Sequence, residues 1–319
     1  MNKIKYIIIV LILTITTGCL NYIELNDIGI INTIGIDKKE EKYIIDINML
    51  TPTINNSEEN TTYEVIANTL EEAFDKLYLL TYKNINLSHL ELILLSKNLN
   101  SNDYDNITKF FLNRDDSRNT FPIIIVENYK SENIFKHTAN EINSLIETNS
   151  KDDGIVSKKT FDELSEDIIN INISYVPTIK TDENIEILGY RSIYSENKLL
   201  SMRESISYNF LTNRISKCNL VDENLNIKID QSITTMSINK NKIKITINST
   251  LTNYTDRSDI TDFYNKTLKT YLEEFIENND LEYLRDLIKK YNYNYYKNHK
   301  DENIKFKVIV ESKLNKEVS

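Results

Sequence analysis

The apolar run near the N-terminus decides on which side of a membrane the rest of this chain folds. Two lysines precede a purely apolar stretch from Tyr6 to Leu13, and the sequence beyond Leu20 is polar and mixed. A membrane-spanning helix needs about 20 apolar residues, whereas the apolar core of a signal peptide needs only about 7–15. The run is therefore too short to be a membrane span, and we predict that residues 1–18 are a signal peptide.

The end of this run predicts a lipid attachment site at Cys19. Thr16-Thr17-Gly18-Cys19 places small residues just before a cysteine, which resembles a bacterial lipobox. In that chemistry the cysteine sulfur takes a diacylglyceryl group, the chain is cut before the cysteine, and fatty acyl chains such as palmitate hold the protein on the membrane. Thr16 departs from the bulky aliphatic residue that is usual at its position. The alternative is an uncleaved signal anchor in which Cys19 is incidental.

The charge of the chain excludes one large class of partners. It carries 48 acidic and 38 basic residues, a net charge of −10, and removal of residues 1–18 with their two lysines leaves −12. Binding to nucleic acid needs a basic surface, because contacts with the phosphate backbone supply much of the affinity. The same acidity opposes adhesion to anionic lipids by charge alone, so attachment to the membrane is left to the acyl chains.

Residues 19–184 are predicted to form a mixed α/β domain, because apolar strands alternate with amphipathic helices. Thr69 and Glu72 have capping-box spacing at the start of a helix whose apolar residues recur with helical period. Strands are predicted at 27–37, 42–50, 88–96 and 121–128. Helices are predicted at 69–80, 103–115, 131–139 and 160–171, and the polar segment 52–62 is predicted to be a loop.

The second half of the chain has a different character and is predicted to be α+β. Residues 185–224 are expected to contain a hairpin that turns at Ser195–Lys198 and a short helix at 204–213. Residues 225–319 are expected to contain two long antiparallel strands joined at Asn239–Asn241, a helical block at 259–291 and a final strand at 304–314. The predicted fold class is therefore α+β, with several domains.

The residue types that carry catalysis or bind metals are not spaced for either task. His89, His137 and His299 lie far apart, and no HxxxH or CxxH pattern accompanies them. The few glycines are too dispersed to cradle a phosphate group. We therefore predict no catalytic residues, no cofactor and no metal, so an enzyme is not expected. A pair of carboxylates from distant segments stays open as an alternative.

A histidine, a cysteine and a tyrosine-rich stretch are predicted to have structural roles. His89 stands at the start of an apolar segment and is interpreted as a satisfied structural histidine. Cys218 has no disulfide partner if Cys19 is lipidated, and its aliphatic context indicates a small packing residue. The tyrosine-rich stretch at 291–298 is interpreted as a helix end that covers the last sheet, with a contact surface as the alternative.

A series of short motifs follows Cys19 in a recognisable order. Glu24-Leu25 and Gly35-Ile36-Asp37 come first, then the segment "LSHLELILLSKNL" with His89, and then "FFLNRDDSRNTFPIIIVEN" with Arg114 and Arg118. The series resembles the Ger(x)C family, the lipoprotein C subunits of nutrient germinant receptors in spore-forming bacteria. It covers most of residues 19–215, and it departs from the family at Leu20-Asn21, where Trp-Asp is usual.

The resemblance implies a subunit without enzymatic activity, tethered to the outer face of the spore's inner membrane. It also implies two membrane-embedded partners, an A-type and a B-type subunit, in a complex triggered by small nutrients. The family fold is described as three mixed α/β domains. The alternative function is a lipid-anchored solute-binding protein that hands a small ligand to a transporter, and such proteins usually have two similar lobes. A lipid-anchored hydrolase is the third alternative.

The residues just beyond the lipid are expected to lie close to the membrane. If Cys19 is anchored, the stalk Leu20–Ile23 spans only about 14 Å when extended. Glu24 and Asp27 precede the apolar interior of the first strand and do not need to be buried. We predict that Glu24 and Asp27 face the A-type and B-type subunits.

Overall fold

Two β-sheets with helices packed around them form the part of the chain that the computed structural model describes, which is residues 27–52, 58–170, 174–193, 197–222, 225–253, 259–279, 288–289, 293–299 and 304–315. The first sheet contains β1 (Ile28–Lys39), β2 (Lys42–Pro52), β3 (Glu58–Ala67), β4 (Asn84–Asn86), β5 (Leu92–Ser96), β6 (Ile123–Val126), β7 (Ser174–Thr181) and β8 (Ile185–Ile193). The second sheet contains β9 (Cys218–Asp222), β10 (Leu225–Asn239), β11 (Lys242–Asn253) and β12 (Lys305–Leu314). The helices are α1 (Leu70–Thr81), α2 (Ser101–Leu112), α3 (Ala139–Asp152), α4 (Phe161–Asn170), α5 (Met202–Leu211), α6 (Ile260–Asn278) and α7 (Tyr293–Asn298). This combination confirms the predicted α+β fold class.

The first sheet is mixed, with its strands in the order β3-β2-β1-β5-β6-β7-β8 and with β4 paired to the beginning of β1. Strands β1, β5, β6 and β7 run parallel, whereas β2 and β8 lie antiparallel to their neighbours. The parallel strands therefore begin on one side of the sheet and end on the opposite side. We call the edge where they begin the amino edge (Ile28, Leu92, Ile123, Ser174), and the edge where they end the carboxyl edge (Lys39, Ser96, Val126, Thr181).

Strands β1 and β2 form the hairpin that was predicted for this segment. Ile34 and Ile36 of β1 and Ile45 of β2 are fully buried on one face of the sheet. The two turn residues Glu40 and Glu41 have positive φ angles of 51° and 63°. A two-residue hairpin turn of type I′ requires this backbone conformation, because its twist matches that of the strands it joins.

Strand β3 begins inside the segment 52–62, so the prediction of a loop there is wrong from residue 58 onward. β3 pairs with β2 along its whole length and is the outermost strand of the first sheet. Val65 and Ala67 are buried, whereas Ile66 is 49% exposed. An outermost strand needs few apolar side chains, because backbone hydrogen bonds to a single neighbouring strand hold it in place. The polar first half of β3 was therefore predicted to be a loop.

Helices cover both faces of the first sheet. Helices α1, α2 and α4 share one core with β1 and β2, and α3 and α5 pack on the other face together with the second sheet. The predicted start of α1 is confirmed, because the Thr69 side chain accepts a hydrogen bond from the backbone N–H of Glu72 at 3.1 Å. Such a cap satisfies one of the N–H groups that the first turn of a helix leaves unpaired.

The prediction of a helix at 131–139 is wrong, because residues 131–135 form turns and α3 begins only at Ala139. Thr138 and Glu141 form a reciprocal capping box at this point. The box fixes the start of the helix, and α3 then buries Ala139, Ile142 and Ile146 against the sheet. The apolar residues before the box pack without forming a helix, since Ile134 is buried within a turn.

Strand β7 was not predicted, and its partner β8 extends the first sheet to Ile193. The sheet therefore continues across residue 184, where the boundary between the first two domains was placed. Of the hairpin predicted to turn at Ser195–Lys198, residues 195 and 196 lie outside the described residues, and beyond the turn Leu199 forms a single bridge with Arg191. The sequence does not predict β7 as a strand because β7 contains Pro177, and proline donates no hydrogen bond to a neighbouring strand.

The second sheet confirms the predicted order of two long strands, a helix and a last strand. β10 and β11 pair antiparallel from one end to the other, and β12 lies parallel to β11. Ile243, Ile245 and Ile247 share one buried face, as their alternation predicts. Of the helical block expected at 259–291, the structure describes α6, and residues 280–287 lie outside the described residues.

Cys218 lies at the start of β9, beside Gly154 in the segment that follows α3, and has the packing role predicted for it. It is a free thiol, 2% exposed, at the start of β9. Burial, together with the charge of Asp153, raises the pKa of this thiol to about 12. Such a thiol stays protonated and unreactive at neutral pH. Tyr295 and Tyr296 of α7 pack against the same core, in agreement with the structural interpretation of the tyrosine-rich stretch.

Candidate functional site

A buried carboxylate lies near the carboxyl edge of the first sheet. Asp46 of β2 is 3% exposed, and the hydroxyl of Tyr129 donates a hydrogen bond to it at 2.6 Å. Burial raises the pKa of Asp46, and the hydrogen bond from Tyr129 partly opposes that rise by stabilising the charged form. Burial next to this carboxylate also raises the pKa of Tyr129 well above its usual value. The pair therefore ties β2 to the segment that follows β6.

Gly35 makes room for this pair. A β-carbon at residue 35 would lie 2.2 Å from the hydroxyl oxygen of Tyr129 and 3.1 Å from the ring carbon that bears it. Only glycine at this position of β1 lets the hydroxyl reach Asp46. The Gly35-Ile36-Asp37 motif thus has structural roles, since Ile36 is fully buried and Asp37 accepts a hydrogen bond from Asn98 at 3.4 Å.

A network of charged groups joins the segments that follow β5 and β6 to Arg191 of β8. Glu127 follows β6 and pairs with Lys97 at 2.6 Å and with Arg191 of β8. Arg191 also donates to the backbone oxygen of Asn197 at 2.6 Å, and the Asn197 side chain donates to the backbone oxygen of Lys97 at 2.8 Å. Burial tends to raise the pKa of Glu127, but Lys97 and Arg191 outweigh it and lower the pKa. These charges are therefore engaged in holding the edge together.

Replacement of Arg191 by methionine is expected to reduce the free energy of unfolding by about 3 kcal/mol at pH 7, because Glu127 would lose one of its two cations in a desolvated setting. The pKa of Glu127 is lowered in the folded chain from the ordinary value of 4.5, so the ionised carboxylate stabilises the fold above pH 4.5. This stabilisation is lost as the pH falls below 4.5 and through the pKa of the folded chain. The difference between wild type and Arg191→Met should therefore shrink in acid. Denaturant titrations at pH 7 and pH 4 would measure it.

The matched control for this prediction is Lys180→Met. Lys180 pairs with Asp182 at 2.9 Å, and both side chains are about half exposed, at 44% and 53%. Exposed ion pairs contribute little to stability because water screens them. Equal small effects for Arg191→Met and Lys180→Met would show that the buried network does not stabilise the fold.

The amino edge carries the residues that were predicted to face partners, as far as the structure describes them. Asp27 is exposed and lies directly before β1, whereas Cys19 and Glu24 lie outside the described residues. His89 is exposed in the turn before β5, so its interpretation as a satisfied histidine at the start of a strand is wrong. The apolar segment forms a strand only from Leu92, where pairing with β1 begins.

The two arginines of the family-like motif have different surroundings. Arg114 forms two hydrogen bonds of 2.7 Å with Asp116, and its guanidinium lies over the rings of Phe74 and Phe110, 5.1 and 5.5 Å from their centres. It therefore joins α1 to α2. Arg118 is exposed and lines a shallow polar cleft of about 360 Å³ at the amino edge together with His89.

A group of exposed apolar side chains at the amino edge was missed in the sequence. Tyr78, Leu79, Leu80 and Tyr82 are 49%, 64%, 61% and 80% exposed at the C-terminal end of α1. We call these four residues the α1 tip. The sequence does contain a sign of this exposure, because the four residues fall outside the buried stripe of the same helix, which consists of Leu70, Ala73, Phe74 and Leu77. An exposed apolar cluster of this kind often marks a contact surface.

A cleft of about 270 Å³ lies between the two halves of the molecule, where α5, α6 and β9 meet. Its walls include the aromatic rings of Tyr264 and Tyr271, and the guanidinium of Arg203 lies 5.1 Å from the centre of the Tyr271 ring. The walls of this cleft therefore combine aromatic, aliphatic and charged groups.

The described ranges contain no group of three histidine, cysteine or carboxylate side chains arranged to hold a metal ion. Among their helices, none is both long enough and apolar enough to cross a bilayer.

Two comparisons with known proteins give a match. The model of a family described as "Spore germination protein N-terminal domain" matches residues 21–181. The crystal structure of the GerBC protein superimposes with a TM-score of 0.51 at 16% sequence identity, covering 88% of this chain and 96% of that one. This likeness includes parts of both sheets, and it shows a shared fold. No curated protein sequence matches this chain.

Proposed function

The chain belongs to the spore germination protein family whose N-terminal domain matches residues 21–181, and we propose that it is the lipid-anchored C subunit of a nutrient germinant receptor. The observation that carries this proposal is the family match, which spans β1 to β7 and includes the motifs at Gly35, His89, Arg114 and Arg118. The resemblance to the Ger(x)C family is thereby confirmed. The fold shared with GerBC supports the same assignment.

In the proposed setting the chain sits on the outer face of the spore's inner membrane and contacts an A-type and a B-type membrane subunit. Asp27 supports this placement, because it is exposed where β1 begins and lies only eight positions after Cys19. Eight extended residues reach at most about 29 Å. The amino edge is therefore the part of the first sheet that stays within reach of membrane partners.

The two sheets weigh against the alternative of a solute-binding lipoprotein. The first has eight strands with a parallel centre, and the second has four strands in two antiparallel pairings and one parallel pairing. Solute-binding lipoproteins are expected to have two similar lobes that close on a ligand. Two such different halves favour a subunit that acts through protein contacts.

Charge reversal at Glu24 and Asp27 tests where the partners bind. If both residues face the membrane subunits, Glu24→Lys with Asp27→Lys should reduce co-purification of the A-type and B-type subunits from spore membranes several-fold. Because Asp27 is exposed, the melting temperature of the chain should stay unchanged. Quantitative immunoblotting of the purified complex measures the first quantity and thermal unfolding the second.

The control pair is Glu183→Lys with Glu186→Lys, which makes the same charge change on exposed residues at the other edge of the sheet. Assembly should survive this change. Should the Glu24 and Asp27 variant assemble normally and melt earlier, these residues are structural. Should the wild-type chain fail to co-purify with both subunits, the proposed receptor role itself is wrong.

A further inference from the structure

The α1 tip protrudes where the chain approaches its proposed lipid anchor. Because β3 ends at the carboxyl edge, α1 runs back across the sheet and ends at the amino edge, beside β4. Asn84 of β4 pairs with Ile28 of β1, and Tyr82 precedes Asn84 by two residues. Paired strands lie about 4.8 Å apart and two residues span at most about 7 Å, so the backbone of Tyr82 lies within roughly 12 Å of Ile28.

The backbone at the α1 tip is unusual for the residue it carries. Tyr82 ends the helix in the left-handed conformation, with φ 54° and ψ 29°, and its backbone N–H bonds to the oxygen of Tyr78. Glycine or asparagine is usual at such a position, because the β-carbon of other residues is crowded there by the neighbouring carbonyl oxygen. Tyr82 remains 80% exposed. The left-handed cap therefore leaves an aromatic side chain in solvent at the end of α1.

The composition of the α1 tip suits a lipid surface. No charged residue lies between Lys76 and Lys83, so a continuous segment of tyrosine, leucine and threonine forms the end of the helix. Tyrosine is enriched at the boundary between headgroups and acyl chains, and leucine side chains enter the acyl region. Insertion of apolar side chains needs no anionic lipid, which matters for a chain of net charge −10.

We propose that the α1 tip inserts into the membrane surface beside the anchored N-terminus, so that lipid covers Tyr78, Leu79, Leu80 and Tyr82. This inference rests on the proposed lipid tether at Cys19, which keeps Asp27 within about 29 Å of the bilayer. Two attachment points then hold the amino edge against the membrane, whereas a tether alone leaves the domain free to rotate. The second contact fixes which surfaces of the chain face the membrane subunits.

A single tryptophan can report this contact, because the chain contains none. Leu79→Trp places the reporter at an exposed position of the α1 tip, and Lys42→Trp places it at an exposed position near the carboxyl edge. Lys42 pairs with Lys39, which lies about 36 Å along β1 from Ile28. Each full-length lipidated variant is reconstituted into phosphatidylcholine vesicles, with or without brominated acyl chains, and the vesicles are floated before fluorescence is recorded.

We expect the Leu79→Trp emission to shift to the blue and brominated lipid to quench roughly half of it, since such residues enter the bilayer by about 5–10 Å. The Lys42→Trp emission should be unaffected. Floating protein with an unquenched Leu79→Trp reporter would overturn the membrane contact while leaving the tether intact. Equal quenching of both reporters would also overturn it, because the amino edge would not be oriented. A chain that does not float lacks the tether, and both proposals then fall.

A protein partner is the competing occupant of the α1 tip, and the same reporter separates it from lipid. If Leu79→Trp is unquenched in lipid vesicles but shifts to the blue when the A-type and B-type subunits are added, the tip binds protein and the membrane contact is wrong. Leu79 is 64% exposed, so its replacement should leave the melting temperature unchanged. An unaltered melting temperature shows that the reporter sits on the native fold.

Discussion

Replacement of Cys19 by alanine is expected to leave residues 1–18 on the chain and to abolish most of the nutrient response. Without the sulfur no diacylglyceryl group can be attached, and the cut before residue 19 depends on that attachment. Each buried CH₂ of an acyl chain contributes about 0.8 kcal/mol, so two or three chains on one cysteine hold a protein far more firmly than a single chain does. Mass spectrometry of the N-terminus and spore germination with nutrients measure the two outcomes.

The control is the second cysteine of the chain. Cys218→Ala removes a thiol that is buried at the start of β9, so it should cost some stability but leave maturation and lipidation unchanged. Any defect of Cys19→Ala that Cys218→Ala shares reflects folding. Normal maturation with a full nutrient response in Cys19→Ala would rule out the lipid tether.

Replacement of Gly35 by alanine is expected to reduce the free energy of unfolding by about 1–3 kcal/mol, the range for a buried polar group that loses its partner. The new β-carbon would lie 2.2 Å from the hydroxyl oxygen of Tyr129, which must then leave Asp46. Gly29→Ala is the matched control on the same strand. Its β-carbon meets the sulfur of Met49, the flexible end of a side chain that can move aside, so a smaller loss is expected.

A double-mutant cycle assigns the effect of Gly35→Ala to the hydroxyl. Tyr129→Phe removes the hydrogen bond to Asp46 and also the group that a β-carbon at residue 35 would strike. Gly35→Ala should therefore cost much less in a Tyr129→Phe background than in the wild type. Additive losses would show that the cost of the alanine arises elsewhere, for example from the backbone of β1.

The pH dependence of the Gly35→Ala effect follows from Asp46. Burial raises the pKa of this carboxyl above 3.8, so the fold loses stability as the pH rises from that value through the raised one and Asp46 ionises. The hydrogen bond from Tyr129 reduces this loss. Without it the loss is larger, so Gly35→Ala should be more damaging at pH 7 than at pH 3.5. Denaturant titrations at the two pH values would measure the difference.

Features fixed by neighbouring residues were predictable from the sequence. The start of α1 at Thr69, the β1–β2 hairpin and the β10–β11 hairpin depend on caps, turns and periodicity within a few residues. The spore germination family was also predictable, because its motifs are short and occur in a fixed order along the chain. The lipid site at Cys19 is of the same kind and stays a prediction, since it lies outside the described residues.

Features that depend on pairing between distant segments were decided by the tertiary structure. Asp46 and Tyr129 are 83 residues apart and Arg191 and Glu127 are 64 apart, and no local pattern marks either pair. β3 is a strand because β2 offers it hydrogen bonds, although its first residues are polar.

The placement of the α1 tip shows the same division between sequence and structure. The apolar residues off the buried stripe of α1 were visible in the sequence, but their position beside Asp27 follows from the pairing of β4 with β1. The sequence by itself therefore determined the anchor motif, the family and the locally encoded elements. Only the folded chain decided which buried charges are paired and which surfaces lie beside the beginning of β1, because side chains far apart in sequence meet only when strand pairing brings them together.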